Sequence, residues 1–338
     1  MSQSETEKPV SPVDCAAWRV SVAPMMDWTD RHCRYFHRLL SPHARLYTEM
    51  VTSAALVHGN RMHLLRHSAF EQPVALQLGG SEPAELAQAA RFGEDAGYVE
   101  INLNVGCPSD RVQSGRFGAC LMREPALVAD CVAAMRAAVR IPVTVKCRIG
   151  VDEQDEYHDL QQFAARMVDA GVEVLIVHAR KAWLQGLSPK ENREIPPLNY
   201  ARVHALKKDF PQLCVVINGG ITSETAVTEH LAQVDGVMLG RAAYHDPYVL
   251  ARVEHALYGE PLPERDAVIE RMLPYIEAEL AQGTALKHIT RHLLGLYQGL
   301  PGARGFRRVL SERSHHNDAG LDVIRAALEQ RHALRAAA

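Results

Sequence analysis

The sequence predicts an α/β protein in which a (β/α)8 barrel, or TIM barrel, precedes a small C-terminal helical domain. Eight short segments rich in branched apolar residues recur along the first three quarters of the 338-residue chain, and helical patterns separate most of them. Eight strands that alternate with helices over about 240 residues match the number and size of such a barrel. Beyond about Gly259 the strand pattern ends and only helical patterns continue, which predicts the second domain.

The predicted strands are Arg19–Ala23, Ala44–Met50, Val74–Leu78, Tyr98–Leu103, Val143–Cys147, Val172–Val177, Leu213–Ile217 and Gly236–Leu239. Helical periodicity lies between strands at Pro83–Ala96, Ala126–Val139, Leu160–Ala170 and Ala201–Asp209. Gly97, Pro142 and Gly171 follow three of these helices, as residues that end a helix should. An open, doubly wound sheet is the alternative fold, but the glycine-rich turn that such a sheet places after its first strand is absent from Ala23 to Asp27.

The C-terminal region shows the spacing of amphipathic helices. Apolar residues recur three or four positions apart at Met272, Ile276, Leu280, Leu286, Ile289 and Leu293. The segment 260–263 contains two prolines and is the predicted joint between the domains. We therefore expect an unstructured tail at residues 1–17, a catalytic barrel at 18–258 and a helical domain at 259–338.

Composition narrows the class of protein. Hydrophobic residues make up 47% and charged residues 23% of the chain, which is ordinary for a soluble globular protein. No apolar run approaches the ~18 residues of a membrane span, and the polar N-terminus lacks the apolar core of an export signal. The net charge is −3, so any contact with nucleic acid requires a local basic patch.

The cysteines point to a reducing compartment. Seven cysteines are present and none forms a C-x-x-C pair, the spacing that many zinc sites and thioredoxin-like motifs use. We therefore expect no metal site, reduced thiols and a cytoplasmic protein. Nothing in the sequence indicates an obligate apolar interface, so we expect a monomer.

In a (β/α)8 barrel the chemistry lies at the C-terminal ends of the strands. Each candidate there also has an ordinary interpretation, because a glycine after a strand is usually a turn and a lone cysteine such as Cys107 is usually a small buried thiol. His178, taken alone, is more often structural than catalytic. The strand ends carry the segments 24–26, 77–80, 102–108, 146–148, 178–180, 218–220 and 240–241.

The last two strand ends predict a phosphate site. The segments 218–220, Asn-Gly-Gly, and 240–241, Gly-Arg, offer closely approachable backbone N–H groups and one bidentate cation. Lys146 ends the fifth strand, where its side chain points either into solvent or into the barrel mouth. These residues predict a phosphorylated ligand without identifying it.

Over about residues 18–315 the chain closely resembles the tRNA-dihydrouridine synthases, flavin-dependent reductases of uridine in tRNA, and most of all their A-type branch. The most specific element is the segment 102–109, Asn-Leu-Asn-Val-Gly-Cys-Pro-Ser, which resembles the family's catalytic cysteine motif. One such motif would be a weak signal, whereas seven in register are specific. The other six stand in family order at residues 23–26, 77–79, 145–146, 178–180, 218–220 and 240–241.

The resemblance implies that FMN lies across the barrel mouth and that NADPH reduces it. Pro24, Met25 and Met26 would line the isoalloxazine ring, and Gln77 would hydrogen-bond its pyrimidine edge. Lys146 would lie near the N1/O2 side of the ring, where a cation stabilises the negative charge of reduced flavin. The remaining contacts with ring or phosphate would come from His178, Asn218, Gly219, Gly220, Gly240 and Arg241.

The resemblance also implies the reaction. The uracil C5=C6 bond is conjugated with the C4 carbonyl, so C6 accepts a hydride and C5 then needs a proton. The hydride would come from flavin N5, and the protonated thiol of Cys107, opposite the flavin, would be the general acid. General acid catalysis contributes roughly 10²–10⁴-fold to a rate. Loss of Cys107 should therefore stop turnover and leave flavin binding intact.

A uridine in folded tRNA must leave its stack to reach a flavin, so the enzyme needs a basic surface beside the barrel mouth. Arg304, Arg307 and Arg308 lie at positions i, i+3 and i+4, so one face of a helix would be basic and would bind tRNA phosphates. A solvated helix face is the ordinary interpretation of the same pattern. The opposite face, directed at the helical core, would carry Phe306, Val309 and Leu310.

The segment 180–198 is long for a loop between a strand and a helix, and long loops are often functional. It resembles an A-type insertion, in which Lys190 and Arg193 would contact tRNA; Asn104 would also reach the substrate. The A-type assignment implies the D-loop uridines at positions 20 and 20a as targets. The acidic segment 152–156 would repel phosphate, and we expect it to be a solvated surface.

Three other functions stay open. A dihydroorotate-type dehydrogenase would use the same flavin barrel, a strand-end lysine and a cysteine, but it needs no basic helical domain. A flavin-free barrel lyase would use Lys146 as a Schiff-base nucleophile. An RNA-binding protein on an inactive barrel would bind tRNA without flavin and without any need for Cys107.

Overall fold

The structure, a computed structural model, describes residues 14–59 and 61–336. Its centre is a closed barrel of eight parallel strands, because β2 pairs with β1 on one side and with β4 on the other. Around the barrel the order is β2-β1-β9-β8-β7-β6-β5-β4. The strands are β1 (Val20–Val22), β2 (Arg45–Tyr47), β3 (Val51–Thr52), β4 (Val74–Gly79), β5 (Glu100–Val105), β6 (Val143–Arg148), β7 (Val174–His178), β8 (Cys214–Asn218) and β9 (Gly236–Leu239).

The predicted (β/α)8 barrel is confirmed, and closure between β2 and β4 excludes the open sheet. All eight predicted strands are present, with ends that differ by at most three residues. The sequence did not reveal β3, a two-residue strand that pairs with the end of β4. Two residues are too few for the alternating pattern that identifies a strand.

Helices surround the barrel. Those of the barrel region are α1 (Arg31–Leu40), α2 (Ser53–Val57), α3 (Pro83–Asp95), α4 (Asp110–Ser114), α5 (Pro125–Ala138), α6 (Tyr157–Asp169), α7 (Tyr200–Asp209), α8 (Glu224–Leu231), α9 (Arg241–His245) and α10 (Tyr248–Tyr258). After them come α11 (Arg265–Ala281), α12 (Lys287–Thr290), α13 (Ala303–Arg313) and α14 (Leu321–Ala336). Short 3₁₀ turns lie at Cys15–Trp18, Met62–Leu65, Ala69–Glu71, Gly118–Arg123 and Glu191–Arg193.

Local sequence explains where these helices begin and end. Proline occupies the first position of both α3 and α5, where its fixed φ suits the helix and its missing N–H costs nothing. Gly259 ends α10 in the left-handed region at φ 72°, at the predicted joint. The region after it is helical as expected, and its independence as a domain stays a prediction. Across residues 14–59 and 61–336, the helices are all too short or too polar to cross a membrane.

The predicted N-terminal tail, residues 1–17, lies outside the described residues up to position 13. Its last four residues are not an unstructured tail. Asp14 accepts a hydrogen bond from the amide of Ala16 (3.0 Å) and caps the first 3₁₀ turn. Trp18, which ends this turn, is buried and closes the N-terminal end of the barrel. The turn was missed because its stability comes from this burial rather than from a helical repeat.

Inside the barrel, a buried carboxylate lies near the N-terminal ends of the strands. Glu100, fully buried, accepts hydrogen bonds from Trp18 Nε1 (2.8 Å), Tyr47 Oη (2.8 Å) and Arg45 Nη1 (3.0 Å). The Arg45 guanidinium also stacks on the Trp18 ring at 4.3 Å. A buried charge is tolerated only when it is paired and fully hydrogen-bonded. The filled lower half of the barrel leaves the C-terminal mouth as the place for a ligand.

The C-terminal helices dock on the barrel through Asp30. Its carboxylate caps α1, accepting from the amides of His32 and Cys33 (both 3.0 Å), and also pairs with Arg291 (2.6 Å) and His292 (3.0 Å). Burial raises the pKa of Asp30, but the hydrogen bonds with His292, Cys33 and Arg291 outweigh it and hold that pKa well below the ordinary value. Asp30 is therefore one of the ionised side chains that join the barrel to the helical region, beside the ion pair of Arg31 with Glu279.

We predict that Asp30→Ala lowers the free energy of unfolding by ~2–3 kcal/mol, because it removes a helix cap and leaves Arg291 without its carboxylate. A carboxyl with a depressed native pKa stabilises the fold above its ordinary pKa of 3.8, and the contribution disappears as the pH falls below that value. Urea unfolding at pH 7 and at pH 3 measures both effects.

Asp14→Ala is the matched control, since Asp14 also caps a turn but is exposed. It should cost less than 1 kcal/mol, within the range of a cap alone. Equal losses in the two variants would contradict the role of Asp30 in docking.

Candidate active site

The candidate site lies at the C-terminal mouth of the barrel, where the loops after the strands meet. Pro24 and Met25 follow β1 and are half-buried, and Met26 is 56% exposed. The loop is fixed by Thr29, whose hydroxyl accepts from the Met25 amide at 2.9 Å. These three apolar residues therefore form one side of the mouth, where a planar ring could lie against them.

The loop after β5 carries Cys107, which is half-buried. Asn104 Oδ1 accepts hydrogen bonds from the backbone amides of Gly106 (3.1 Å) and Cys107 (3.0 Å). Arg148 Nε donates to the Gly106 carbonyl at 2.8 Å. The Cys107 thiol lies 3.6 Å from Ser109 Oγ. The backbone that carries the thiol is thus held from two sides.

Gln77, at the end of β4, is 1% exposed and belongs to a hydrogen-bonded set of amides. Its Nε2 donates to Asn102 Oδ1 at 2.8 Å, and its Oε1 accepts from Asn104 Nδ2 at 2.9 Å. One N–H and one lone pair of the amide are not used in these two bonds. The expected contacts of Gln77 with a flavin and of Asn104 with a substrate stay predictions.

Lys146 and Asn218 meet across the mouth from β6 and β8. Lys146 Nζ donates to Asn218 Oδ1 at 3.3 Å, and Asn218 Nδ2 donates to the Met238 carbonyl at 2.8 Å. Burial lowers the pKa of Lys146 to about 8, and Arg148 adds a smaller lowering. The ammonium is therefore charged at neutral pH, and its recorded partner is a neutral oxygen.

His178 is surrounded by positive charge. Burial, followed by Arg148, Lys146, Arg180 and Arg193, holds its pKa well below the ordinary value, so the imidazole is neutral. Arg148 is 3% exposed and donates to neutral carbonyl oxygens, those of residues 106, 181 and 192. A group of cations whose partners are neutral oxygens is an electrostatic site for an anion.

Arg241 extends this positive group to the end of β9. After burial, Arg241 is the main influence that lowers the pKa of both Arg180 and Arg193, which shows how close the guanidinium groups lie. Glu194 pairs with Arg241 at 2.6 Å, and the Arg193 carbonyl accepts from it at 3.3 Å. The two expected binding residues Arg193 and Arg241 are therefore brought together.

The glycines of the predicted phosphate site are required by the local geometry. Gly219 and Gly220 have φ values of 114° and 71°, in the region that favours glycine. A Cβ on Gly219 would lie 2.6 Å from His178 Cδ2, and one on Gly220 would lie 2.5 Å from Leu198. Gly240 has open space around a Cβ, with Asn218 Nδ2 nearest at 4.0 Å. The turn lets a ligand approach the backbone closely.

The long segment 180–198 is ordered by a buried asparagine. Asn192, fully buried, accepts from the Trp183 amide (2.7 Å) and donates to the Trp183 carbonyl (2.8 Å). Lys190 and Arg193 lie on either side of it and are exposed. Arg193 reaches the positive group at the mouth, whereas no contact of Lys190 with that group is recorded in the described part of the chain.

The acidic segment 152–156 is only in part the solvated surface that the sequence suggested, since residues 153, 154 and 156 are exposed. Asp152 is 7% exposed and accepts from Arg123 (2.5 Å) and from the Leu184 amide (2.8 Å). Asp155 pairs with Lys181 (2.8 Å) and with Arg202 (2.7 Å). The expectation was wrong for Asp152 and Asp155, because these two carboxylates neutralise basic residues far away in the sequence and anchor the 180–198 loop.

A groove of about 830 Å³ connects the mouth with the C-terminal helices. Arg241 from the barrel meets Arg291 and Arg307 from the helical region in its lining. Arg307 also donates to Gln298 at 3.2 Å. Its other lining residues are Thr222, Ala242, Tyr244, His245, Asp246, Leu294, Gly295 and Gln298. We call this lining the arginine groove.

The predicted basic face of α13 is only partly in the arginine groove. Arg307 lines it, whereas Arg304 and Arg308 are exposed on the same helix and are outside the lining found among the described residues. The opposite face is buried as predicted, at Phe306, Val309 and Leu310.

Arg148 and Arg180 lie in strand-end segments that the sequence singled out, and Arg291 lies in its basic C-terminal region, but the sequence assigned none of the three a role in the site. Arg148 had a detectable signal, because residues two apart on a strand face the same side and Lys146 was already assigned to the mouth. Arg180 ends the next strand segment and donates to the Glu194 carbonyl at 3.2 Å. Arg291 had no comparable signal, since its place in the groove depends on how α12 docks.

Three metal-type ligands meet away from the mouth, beside the N-terminal ends of β8 and β9. The ligand atoms of Cys15, Cys214 and Asp235 lie within 4.8 Å of one another. Lys207 pairs with Asp235 at 2.8 Å, so a cation already neutralises this carboxylate. The expectation that the protein uses no metal stays a prediction.

We predict that one lysine, Lys146, titrates with a pKa of about 8. Below that pH its ammonium is charged and above it neutral, so affinity for an anion at the mouth should decrease as the pH rises past 8. Nuclear magnetic resonance of ¹³C-methylated lysines measures the titration, and Lys146→Arg should remove the signal.

Lys208→Arg is the control, because Lys208 is exposed at the end of α7 that leads into the N-terminal end of β8, opposite the mouth. It should remove a different signal. A resonance near pH 8 that survives Lys146→Arg would contradict the assignment.

Comparisons with known proteins agree with this arrangement. The sequence profile of the family described as Dihydrouridine synthase (Dus) matches residues 21–337. The tRNA-dihydrouridine(20/20a) synthase of Xanthomonas campestris pv. campestris is 61% identical over 92% of this chain and 93% of its own length. The protein of the same name from Vibrio cholerae serotype O1 is 60% identical over 92% of this chain and 95% of its own length.

Among solved structures, a 2-naphthoyl-CoA reductase in complex with 2-naphthoyl-CoA has a similar fold. The TM-score is 0.57 with 11% sequence identity, and the match covers 74% of this chain. This chain spans about half (52%) of the length of that protein. At this identity the likeness concerns the fold alone.

Proposed function

Because this chain belongs to the dihydrouridine synthase family, we propose that it reduces the C5=C6 bond of the D-loop uridines at positions 20 and 20a of tRNA. The relatives at 60–61% identity carry the name tRNA-dihydrouridine(20/20a) synthase. The observation that carries the proposal is the thiol of Cys107 on a fixed loop at the mouth of the barrel, beside a group of cations. A proton donor and a binding site for an anion in the same barrel mouth are what the reduction of uracil requires, because the reaction adds a hydride and then a proton.

The mouth fits FMN. The cations around His178 have neutral oxygens as partners, which favours an anionic ligand such as a phosphate or a reduced flavin. Once bound there and reduced by NADPH, FMN would supply the hydride that C6 of the uracil accepts. The residues that would hold it are Pro24, Met25, Met26, Gln77, Lys146, His178, Asn218, Gly219, Gly220, Gly240 and Arg241.

Arg241 would have to exchange its present partner, Glu194, for a phosphate in order to bind FMN. Its guanidinium pairs with Glu194, and a phosphate at Gly219 and Gly220 would compete with that carboxylate. Both groups bind guanidinium through two oxygens, so the exchange keeps the charge-assisted hydrogen bonds. Lys146, charged below its pKa of about 8, would balance the negative charge of the reduced ring.

Cys107 would complete the reduction by giving its thiol proton to C5 of the uracil. Asn104 and Arg148 hold the backbone on either side of the thiol, which keeps the donor in one place. Fixed geometry matters because a proton donor must lie within hydrogen-bonding distance of the atom it protonates. A role of Cys107 as the proton donor would explain why Asn104 and Arg148 both hold its loop.

The arginine groove would bind the tRNA backbone beside the mouth. It joins Arg241 at the mouth to Arg307 on α13, and Arg304 and Arg308 continue the positive surface on the exposed side of that helix. Phosphate contacts of this kind fix the orientation of a nucleic acid without reading its bases. They would present the D-loop so that a uridine turned out of its stack reaches the mouth.

The 180–198 loop would contribute to the choice of target base. Arg193 lies in the positive group and Lys190 is exposed three residues before it, so both are available to tRNA. We keep the monomer and the cytoplasm as proposals, because one chain carries both the mouth and the groove and because tRNA is a cytoplasmic substrate.

We predict that Cys107→Ala lowers dihydrouridine formation by about 10²–10⁴-fold, because the general acid is lost. The purified holoenzyme is incubated with NADPH and unmodified tRNA, and mass spectrometry maps dihydrouridine by position. The wild type should modify positions 20 and 20a, and the variant should keep its flavin absorbance.

Cys120→Ala is the matched control, since Cys120 is also half-buried and its thiol donates to the Phe117 carbonyl at 3.1 Å. It should retain activity. Dihydrouridine elsewhere in the D-loop would overturn the target assignment, and flavin reoxidation by free orotate instead of tRNA would favour the small-pyrimidine dehydrogenase.

We predict that Arg307→Ala weakens tRNA binding and lowers the slope of log affinity against log salt by about 0.7–0.9, the value for one phosphate contact. The loss should be similar for different tRNAs, since a phosphate contact carries no sequence information. Filter binding or fluorescence anisotropy over a range of salt concentrations measures the slope.

Arg325→Ala removes an equal charge from the exposed surface of α14, outside the lining of the arginine groove described here. Its slope should equal that of the wild type. Equal losses in both variants would show a general charge effect and would remove the groove from the tRNA site.

A further inference from the structure

We propose that a buried chain of side-chain hydrogen bonds, running from Glu100 to the backbone of Cys107, positions the catalytic thiol. Its four members are Thr144, Asn102, Gln77 and Asn104, which we call the amide relay. The proposal rests on the proposed function, because it assigns these residues a role in the proton transfer by Cys107. It adds Thr144, which the sequence did not place in the site, and it gives a role to Asn102, a member of the cysteine motif to which no contact had been assigned.

The relay begins at the carboxylate. Thr144 Oγ1 donates to Glu100 Oε1, and Asn102 Nδ2 donates to Thr144 Oγ1 at 2.8 Å. Gln77 Nε2 then donates to Asn102 Oδ1 at 2.8 Å, and Asn104 Nδ2 donates to Gln77 Oε1 at 2.9 Å. Every donor points toward the carboxylate.

The relay ends at the cysteine loop. Asn104 Oδ1 accepts from the amides of Gly106 (3.1 Å) and Cys107 (3.0 Å). Since the backbone amides can only donate, Asn104 must present its oxygen upward and its Nδ2 downward. The hydrogen bonds at both ends of the amide relay therefore require the same donor-to-acceptor direction.

A carboxylate at the lower end imposes that direction. Glu100 can only accept, so Thr144 uses its single hydrogen there and can only accept from Asn102. This orients the amide of Asn102, which orients Gln77, which in turn orients Asn104. Without the hydroxyl of Thr144, Asn102 loses the partner that holds its amide in one of two nearly isosteric orientations.

Strand register makes the relay possible. Gln77 and Asn102 are directly paired residues of β4 and β5, and Asn102 and Thr144 are directly paired residues of β5 and β6. These three side chains are at most 1% exposed. Polar groups so deeply buried are costly unless each is satisfied, and when satisfied they fix a single arrangement.

The relay therefore transmits a constraint from the carboxylate to the reacting loop. Asn104 accepts from the amide of Cys107 itself, so a turn of the Asn104 amide would replace an acceptor by a donor at that N–H. The loop would then shift, and the thiol with it. Thr144 and Asn102 are positioning residues, since they act on the thiol through Gln77 and Asn104.

Thr144→Val tests the relay in the holoenzyme. Flavin is reduced with NADPH under nitrogen and mixed with saturating unmodified tRNA, and both half-reactions are followed by absorbance. Flavin reduction should slow less than reoxidation does, because only reoxidation needs the proton of Cys107. Reoxidation by tRNA should slow by about tenfold or more, the scale on which small displacements of reacting groups act.

Thr144→Ser keeps the hydroxyl and should restore reoxidation. Thr290→Val is the matched control, because Thr290 is also buried (2% exposed) and its hydroxyl donates to the Leu286 carbonyl at 3.2 Å, in the helical region. It should leave both half-reactions unchanged. If Thr144→Val does not retain flavin, Thr144→Ala is compared with Thr290→Ala in the same way.

A second measurement separates the relay from the proposed function. The alkylation rates of Cys107 and Cys120 by iodoacetamide are compared by peptide mass spectrometry, and Thr144→Val should increase the ratio of Cys107 to Cys120 alkylation about threefold or more. Tenfold slowing with an increased ratio supports the relay. Unchanged reoxidation, equal slowing in Thr290→Val or an unchanged alkylation ratio overturns it, while a wild type that tRNA does not reoxidise overturns only the proposed function.

Discussion

The interior of the barrel depends on one constraint, the buried carboxylate of Glu100. A fully buried charge is tolerated only when it is paired and fully hydrogen-bonded. The Glu100 carboxylate is paired in this way, because it accepts hydrogen bonds from Trp18, Arg45, Tyr47 and Thr144. These donors come from the first described turn, from β2 and from β6, so the carboxylate on β5 draws separate parts of the chain together. It also explains why the turn at the N-terminal end of the barrel is folded, since Trp18 is one of the donors.

The opposite end of the barrel, the C-terminal mouth, carries an excess of positive charge. Lys146, Arg148 and the cations of the 180–198 loop surround a neutral His178, and the recorded partners of Lys146 and Arg148 are neutral oxygens. Burial lowers the pKa of Lys146 to about 8, and repulsion from Arg148 adds a smaller lowering. A protein satisfies its charges internally where only folding matters, and leaves such a surplus where a ligand of opposite charge binds. The carboxylate of Glu100 is paired within the protein, whereas the cations at the mouth have neutral partners and so favour the binding of an anion.

The C-terminal helices extend the mouth into a surface. Asp30 caps α1 and pairs with Arg291 and His292, so the same carboxylate that begins a barrel helix fixes where the helical region docks. That docking places Arg307 in one groove with Arg241. A chain with a net charge of −3 thereby obtains a local positive surface beside the mouth of the barrel. The basic face of α13 alone would have remained a solvated helix face.

The sequence by itself determined the eight strands, four of the helices between them, the cysteine loop and the glycine pair at 219–220, because these follow from local patterns. Alternation, helical period and turn residues depend on neighbours in the chain. It did not reveal β3, the burial of Asp152, the contacts of Arg148 or the pairing of Glu194 with Arg241. Those features depend on which distant residues meet, and the partners stand 27 to 47 positions apart in the sequence. Only the tertiary structure decided them. The partner of a charged or amide side chain is the group that barrel closure and loop docking bring within hydrogen-bonding distance, and the local sequence does not specify that group.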